Sequence, residues 1–531
     1  MNPSRDPSSG AGTDPAPPPS ATTRNAWIVA AFAVVAICGA ATIFTRLGAE
    51  SLLGDEALYS AIARDSLRAD VWFPLLYEQE PYLGKPPLGI WLIESAFRFA
   101  GVGEISARAP LAFFGFAALL LLFRLARRRY GIVPATVAAL LLGSGHQLLF
   151  RHGLRHAVFE GAMLLMAVAA VFALTEPSSS PRRRVVVAAA WGAFGAAFKG
   201  LAAPAFLLSF GLAYLLLARR RRPPSFALAL AAAIGAGIAV WGLWLLALQL
   251  AGVGGIAESA VRDVVVRASR GIDPEHLQGP WYYLLVIKRE LGAWLLLVPL
   301  SLLPMQRRPA APPGLPDTAP GAWVLPAAWT IGPALVYSLS ASKLSWYLYP
   351  ALPGVALLAG LGAAALLAAA RKVHPALAIL AATGFLFLLA GRYESRLRRI
   401  RNPPPERVAL RLVLDAVRRD PGMVLVFDDA PGSLPAPVRE WDRFYLGEAP
   451  RLAHGLDPSE RSDGCPILVT GQPAPWAERD EFRGANPVPL YRVTAREAPL
   501  FVLDGCGGAV AALLRGPDVM PAGPPSRPGS P

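Results

Sequence analysis

The stretch that decides the fold runs from residue 54 to residue 88, and its most polar parts read GDEALY (54–59) and YEQEPYLGKPPL (77–88). It directly follows an apolar segment, residues 27–45, that is long enough to cross a bilayer. The stretch is therefore expected at a membrane face. There the carboxylates of Asp55 and Glu56 open an amphipathic turn, and Lys85 precedes two prolines. These are unusual residues for a passive loop.

The composition indicates a membrane protein rather than a set of soluble domains. The chain of 531 residues is 54% hydrophobic and 17% charged, with a mean hydropathy of +0.41. A net charge of +14 would suggest nucleic acid in a soluble chain. Here much of the positive charge lies in short loops between apolar segments, where it orients the protein in the membrane. Nucleic acid is therefore excluded as a partner.

Apolar segments of membrane-spanning length recur along the chain. With residues 27–45 they predict about eleven transmembrane helices, at 108–123, 132–150, 157–174, 185–198, 201–217, 225–251, 284–305, 321–340, 346–369 and 375–391. The expected fold is mostly α: a polytopic helical membrane protein with external juxtamembrane helices and a small C-terminal α/β soluble domain.

Arginine clusters predict which loops face the cytoplasm. Five clusters occupy every second loop, at 124–129, 182–184, 219–222, 307–308 and 371–372. The positive-inside rule places them in the cytoplasm. The loops 46–107, 151–156, 199–200, 252–283 and 341–345 are then extracytoplasmic. A sixth cluster at 392–401 opposes this scheme, but the five concordant loops outweigh it and leave the C-terminus outside. The predicted location is multi-pass in the inner (plasma) membrane, with the active site on the periplasmic face.

The ends of the chain differ in composition from its centre. Residues 1–24 and 511–531 are rich in Pro, Ser and Gly and are predicted to be disordered tails. Residues 25–391 form the predicted transmembrane domain. Residues 392–510 form the α/β unit, with a helix near 408–417 and strands near 423–427, 466–470 and 500–503. Cys465 and Cys506 could pair there if this unit is outside the cytoplasm.

Polar side chains of the extracytoplasmic loops are expected to meet at one rim. Each has a simpler interpretation: Asp55 as a helix cap, Lys85, Lys199 and Lys343 as snorkelling lysines, and the aromatics as an interfacial belt. Together, cations and carboxylates suit transfer of a sugar from a phosphate-linked donor. The cations stabilise the departing phosphate, and a carboxylate accepts the proton of the attacking hydroxyl.

These residues resemble a known family. The 54–59 and 77–88 motifs, with WFP (72–74), RAP (108–110), KG (199–200) and SKLSWYLYP (342–350), look like bacterial integral-membrane glycosyltransferases of the C superfamily. Their relatives include the lipid A aminoarabinose transferase and the protein O-mannosyltransferases. The resemblance covers most of residues 26–391. It implies a polyprenyl-phosphate-sugar donor and inversion at the anomeric carbon.

The resemblance also implies roles for individual residues. Asp55 matches the catalytic carboxylate, Glu160 an acidic residue that is more usually aspartate, and Lys85 and Lys343 cations near the donor phosphate. Leu58 stands where relatives often carry arginine, and Gly84 where many carry glutamate, which weakens the case for a metal. The expected site has three groups: catalytic Asp55, Glu56 and Glu160; phosphate-binding Lys85, Arg64, Arg155, Lys199 and Lys343; and substrate-binding Tyr59, Tyr82, His276, Trp346 and Tyr347.

The leading hypothesis is a glycosyltransferase in the cell envelope, whose acceptor is a lipid such as lipid A, a glycan or a protein. No cofactor or metal ligand is assigned, and a role for a divalent metal stays open. The alternatives are a lipid or sugar transporter without covalent transfer, and an inactive scaffold. Transporters tend to show inverted repeats, broken spans and ionisable groups near the middle of the bilayer. None of these is evident in the sequence.

Overall fold

The computed structural model describes residues 21–219, 222–271, 276–303 and 321–403, with short strands at 423–427, 465–470, 488–491 and 500–504. The predicted tail 511–531, the predicted helix near 408–417 and Cys506 lie outside these residues. So do residues 1–20 of the predicted N-terminal tail. The rest of that tail is helical, because the first helix begins at Ala21.

Helices form nearly all of the described part of residues 21–403. The first ten are α1 (Ala21–Phe44), α2 (Asp55–Arg68), α3 (Leu88–Ala100), α4 (Glu104–Tyr130), α5 (Ile132–Gly143), α6 (His146–Phe150), α7 (Glu160–Thr175), α8 (Pro181–Lys199), α9 (Ala202–Ala218) and α10 (Phe226–Leu250). The next six are α11 (Ile256–Val261), α12 (Arg267–Ser269), α13 (Tyr282–Leu291), α14 (Val324–Ser338), α15 (Leu352–Val373) and α16 (Pro375–Arg401). A π-helical turn, Arg262–Val266, joins α11 to α12, and 3-10 turns occupy Gly292–Leu297, Pro299–Leu302 and Ser345–Ala351.

These helices make the chain a multi-pass membrane protein. Among the described residues, five helices are long and apolar enough to cross a bilayer: Asn25–Phe44, Glu104–Tyr130, Phe226–Leu250, Ser345–Val373 and Pro375–Arg401. Shorter apolar helices at Ile132–Gly143, Glu160–Thr175, Ala202–Ala218 and Val324–Ser338 occupy other predicted spans. The mostly α, polytopic fold is confirmed.

Two predicted spans differ from single α-helices. Within 132–150, the helix stops at Gly143 and restarts at His146 as α6. Within 284–305, α13 ends at Leu291, the next residue Gly292 has a φ of +59°, and 3-10 turns follow. Glycine tolerates this left-handed conformation, which interrupts the helix. A hydropathy profile predicts both segments as continuous spans, because it averages side-chain polarity and carries no information on backbone conformation.

α7 lies at the centre of the bundle and starts at the candidate site. Nearly all of its side chains are buried, including Glu160 at its first position. It packs against α4 so closely that a Cβ on Gly161 would lie 2.9 Å from the Leu111 carbonyl oxygen. The absence of a side chain at Gly161 therefore allows the approach that sets the position of Glu160.

The end of α16 lies at the same end of the bundle as the loop after α1. Arg46 donates a hydrogen bond to the carbonyl of Arg401. Further back along α16, Arg392 and Arg396 donate to the hydroxyl (2.9 Å) and the carbonyl (3.0 Å) of Ser144. Arg392 and Arg396 of the 392–401 cluster are thus structural donors within the bundle.

The described residues include six short strands. β1 (Leu76–Tyr77) and β2 (Glu80–Pro81) are an antiparallel pair inside the first loop, and the other four follow the last helix. β3 (Met423–Phe427), β4 (Cys465–Thr470), β5 (Val488–Tyr491) and β6 (Leu500–Asp504) form one sheet in the order β3-β4-β6-β5. β3 pairs with β4 in parallel, and the other two pairs are antiparallel. Strands β3, β4 and β6 coincide with apolar runs of the sequence.

Candidate active site

The turn before α2 places Asp55 at the first position of that helix. Gly54 has a φ of +57°, a conformation that residues with a Cβ rarely adopt. Asp55 and Glu56 then occupy the first turn, where negative charge is favoured by the helix dipole. The Asp55 side chain is 44% exposed, whereas Glu56 is buried. Adjacent acids therefore occupy different environments.

Glu56 is held in a buried ion pair with Arg108 of α4. The two side chains meet through two hydrogen bonds, of 2.9 and 3.0 Å. Arg108 also donates to the carbonyls of Leu47, Glu50 and Ser51, while Glu56 Oε1 accepts from the backbone N–H of Ala157 at 2.6 Å. This network joins the first loop, α2, α4 and the segment before α7. The pKa of Glu56 falls to about 2, because Arg108 outweighs the effect of burial.

His152 lies between Asp55 and Glu160. Its Nε2 is 2.9 Å from Asp55 Oδ2, and its Nδ1 is 3.1 Å from Glu160 Oε1. Trp346 stacks on the ring, with the ring centroids 4.2 Å apart and the planes 14° from parallel. His152 adopts a φ of +59°, which is uncommon for a residue with a side chain. The surroundings thus fix both the backbone and the ring of His152.

Two lysines complete the cluster. Lys199, the last residue of α8, places its Nζ 2.5 Å from Glu160 Oε1. The next residue, Gly200, approaches the ring of Pro86, since a Cβ there would lie 3.8 Å from Pro86 Cδ. Lys85 therefore belongs to the same region, and its charge acts on Asp55. The core cluster is accordingly defined as Asp55, His152, Glu160, Lys199 and Lys85.

The charges of this cluster stabilise one another. Burial alone would lower the pKa of His152, but the Glu160 and Asp55 carboxylates raise it to about 10. The partial burial of Asp55 would raise its pKa, yet His152, Lys85 and Lys199 hold that pKa well below its usual range. These shifts favour the ionised Asp55 and the protonated His152, and with Lys85 and Lys199 the cluster has three basic residues against the two acidic residues Asp55 and Glu160. The excess positive charge suits an anionic ligand.

Aromatic residues surround the cluster. Tyr59 is buried, stacks on Phe159 with centroids 4.5 Å apart, and donates to Asp55 Oδ2 at 3.3 Å. Tyr82 is near enough to Tyr59 to interact with it electrostatically. The Tyr82 ring also lies against Gly84, since a Cβ at that position would be 2.4 Å from the Tyr82 hydroxyl. Any side chain at position 84 would therefore displace the Tyr82 ring.

Other predicted phosphate-binding residues contact protein groups. Arg64 bonds Asp65 at 2.7 and 3.0 Å, in the body of α2. Arg155 donates to the carbonyls of Thr42, Ile43 and Thr45 at the end of α1, at 2.6 to 2.9 Å. It thereby supplies donors to the carbonyls that a helix C-terminus leaves unpaired.

The segment around Lys343 holds the remaining predicted residues. Lys343 is buried, and its Nζ donates to the Ser340 carbonyl at 2.6 Å. Its backbone N–H donates to the His276 carbonyl at 2.8 Å, which joins the two segments. Tyr347 accepts a hydrogen bond from Arg267 at 3.4 Å. Within this segment, Trp346 is the residue that reaches the core cluster, through its stacking on His152.

His152 is not among the site residues that the sequence predicts. Its chain neighbours Arg151 and Gly153 give no sign of a partner, because Asp55 lies 97 residues away. The available signal was the presence of both His152 and His156 in one short turn that the charge pattern predicts to be extracytoplasmic. Within the described residues, no group of three His, Cys, Asp or Glu side chains could hold a metal ion.

Comparison with known proteins supports the resemblance. The family model for dolichyl-phosphate-mannose-protein mannosyltransferases matches residues 84–244. No curated protein matches the chain significantly in sequence. ArnT from Cupriavidus metallidurans bound to undecaprenyl phosphate superposes with a TM-score of 0.60 and 17% identity, covering 92% of this chain and 99% of that one. Its apo state gives 0.60 and 16%, with 91% and 98% covered.

At this level of identity the likeness establishes the fold. The chain has the fold of ArnT, and its residues 84–244 resemble the mannosyltransferase family, in agreement with the resemblance that the motifs of its first loop predicted.

Proposed function

We propose that this protein transfers a sugar from a polyprenyl-phosphate donor to an acceptor at the extracytoplasmic face of the inner membrane, with inversion. One observation carries the proposal. Asp55, Lys85, His152, Glu160 and Lys199 come from four separate segments and meet at one end of the bundle. The solved ArnT structure with bound undecaprenyl phosphate supports a donor of this class.

The cluster supplies what the leaving group needs. As the bond between the anomeric carbon and the phosphate oxygen breaks, negative charge builds on the phosphate. Lys85 and Lys199 stabilise that charge in place, so no separate general acid is required. Glu160 positions Lys199, because their side chains form a buried ion pair.

Asp55 faces the acceptor in this proposal. Its carboxylate orients the attacking hydroxyl, or accepts its proton if the acceptor is an alcohol. A carboxylate whose pKa is held well below its usual range is a weak base. The pairing with His152 therefore favours an acceptor that is already ionised, such as a phosphate group. Glu56 acts as a positioning residue through Arg108.

The test is transfer of labelled sugar from a synthetic polyprenyl-phosphate donor in membranes that contain the full chain. Asp55→Asn and Lys85→Ala are expected to reduce transfer by about a hundredfold or more. Asp70→Asn and Lys288→Ala are matched controls on exposed side chains and should retain it. Full transfer by Asp55→Asn and Lys85→Ala would exclude this assignment.

A second experiment identifies the acceptor and separates transfer from transport. Lipid, glycan and protein glycosylation are compared between a deletion strain and the complemented strain. A sugar that appears on one acceptor class only after complementation defines the substrate. Movement of donor across vesicles without any covalent product would instead indicate a transporter.

A further inference from the structure

A large cavity lies at the opposite end of the bundle from Asp55. Its volume is about 990 Å³, within the range of small-molecule sites. α7 begins with Glu160 in the candidate active site, and Glu176, just after its last residue, lines the cavity. Sixteen helical residues separate the two regions by about 24 Å, so this is a different site.

Two buried polar atoms in the cavity lining have no hydrogen-bond partner. They are Nε of Arg184, a residue that is 2% exposed, and the hydroxyl of Tyr130, which is 5% exposed. The rest of the Arg184 guanidinium is fixed, because it donates to the carbonyls of Glu176 and Ser179 and to the Ser225 hydroxyl. Unpaired buried polar groups are costly, and both groups can donate. Both atoms have almost no accessible surface, so a ligand with several acceptor oxygens would satisfy them once the two side chains turn slightly toward the cavity.

The charge of the lining selects an anion. Arg127, Arg128 and Arg183 line the cavity with Arg184, against the single carboxylate of Glu176. Guanidinium groups bind phosphate oxygens particularly well, because their fork of N–H donors matches the geometry of the anion.

The apolar part of the lining indicates that this anion has a hydrocarbon tail. Leu121 and Leu125 lie one to two turns deeper along α4 than its arginines, and Val187 and Trp191 lie similarly deeper along α8. A free phosphate would contact only the charged mouth. A phospholipid would fill both parts, with its headgroup at the arginines and its chains beside these four side chains.

We propose that this cavity binds an anionic phospholipid of the membrane leaflet on this side. Tyr130 and Arg184 Nε donate to its phosphate group, Arg128 and Arg183 add positive charge, and the walls of α4 and α8 hold its acyl chains. The positive-inside rule predicts that this is the cytoplasmic leaflet.

The experiment is lipid binding to the purified full chain in detergent, measured by native mass spectrometry with phosphatidylglycerol and phosphatidylcholine as probes. The wild type should prefer phosphatidylglycerol. Arg128→Gln/Arg183→Gln should weaken that binding by about tenfold or more. Arg371→Gln/Lys372→Gln removes two exposed charges outside the cavity, on the same side, and should change it less than twofold.

Tyr130→Phe provides a readout that general charge attraction cannot produce. It removes one hydroxyl without changing the charge, and it should weaken phosphatidylglycerol binding by about tenfold. Wild-type affinity in Tyr130→Phe, or equal losses in the two double variants, overturns the proposal. A further variant replaces residues 304–320 by a Gly-Ser linker of equal length. If this variant retains the lipid and the wild type does not, the proposal is also overturned, because residues 304–320 would then be what fills the cavity. The measurement needs no transfer activity, so it is independent of the proposed reaction.

Discussion

His152 determines the charge balance of the candidate active site, because its ring separates two carboxylates. With a protonated ring, Asp55 and Glu160 each have a cationic neighbour within 3.1 Å. Trp346 covers one face of the ring, at a distance where an aromatic face attracts a cation. His152 therefore lowers the pKa of Asp55 by direct contact, and this effect requires no contact between His152 and a substrate.

We predict a pH-dependent contribution of His152 to stability. Its pKa is raised in the folded protein to about 10, so the stabilising charge pair is complete below about pH 6.5 and is lost as the pH rises toward 10. The difference in melting temperature between the wild type and His152→Gln should be largest near pH 6 and shrink by pH 10. His374→Gln, an exposed histidine, is the control. A difference that does not change with pH would contradict a charged ring.

At the scale of elements, the Glu56–Arg108 pair ties α2 to α4 and so fixes the start of the helix that presents Asp55. Removing one partner of a buried pair leaves the other charge uncompensated. The exposed pair of Glu394 and Arg398 on α16 offers a comparison with the same chemistry, because its two side chains are 47% and 74% exposed.

We predict that Glu56→Gln lowers the free energy of unfolding by about 3–5 kcal/mol, whereas Glu394→Gln changes it by less than about 1 kcal/mol. Both are measured by denaturation in sodium dodecyl sulfate. Transfer activity should fall in Glu56→Gln because Asp55 is displaced. Equal stability of the two variants would mean that the network does not hold α2 in place.

The contact of α7 with α4 allows a second prediction at this scale. Gly161→Ala places a methyl group against the Leu111 carbonyl, so α7 must shift at about 1–3 kcal/mol. Glu160 precedes it, and we expect transfer to fall at least as steeply as stability. Gly235→Ala on α10, where a Cβ meets nothing within 4 Å, is the matched control and should leave both unchanged. A fully active Gly161→Ala would show that the site tolerates movement of α7.

At the scale of the whole molecule, the fold brings to one end distant loops that the charge pattern predicts to be extracytoplasmic. Labelling of single cysteines in a cysteine-free background tests this arrangement. Cysteines at Asp70, Gln278 and Arg398 should react with a membrane-impermeant reagent from the periplasmic side, and cysteines at Arg182 and Arg371 only after permeabilisation. Reaction of the positions 70 and 278 from opposite sides would divide the proposed site between two compartments.

The whole molecule also shows what sequence reasoning can reach. The apolar spans and the first-loop motifs predicted the fold, because hydropathy and Lys-Pro-Pro-type patterns are local. The partners of His152 and the pairing of Glu56 with Arg108 depend on contacts between residues tens of positions apart. A single sequence holds no record of such distances. The arginines of α16 illustrate the same limit, since Ser144, which they contact, lies about 250 residues away.

Lys343 gives this arrangement a kinetic consequence. Its ammonium group donates one of three N–H groups to the Ser340 carbonyl, so this contact fixes the position of the charge without using up its capacity to bind a phosphate. If Lys343 binds the donor phosphate as the sequence predicts, residues 340–343 would need no rearrangement when the donor arrives. The positive charge would then be in place before binding, and the encounter with the donor rather than a loop movement would limit the rate of capture.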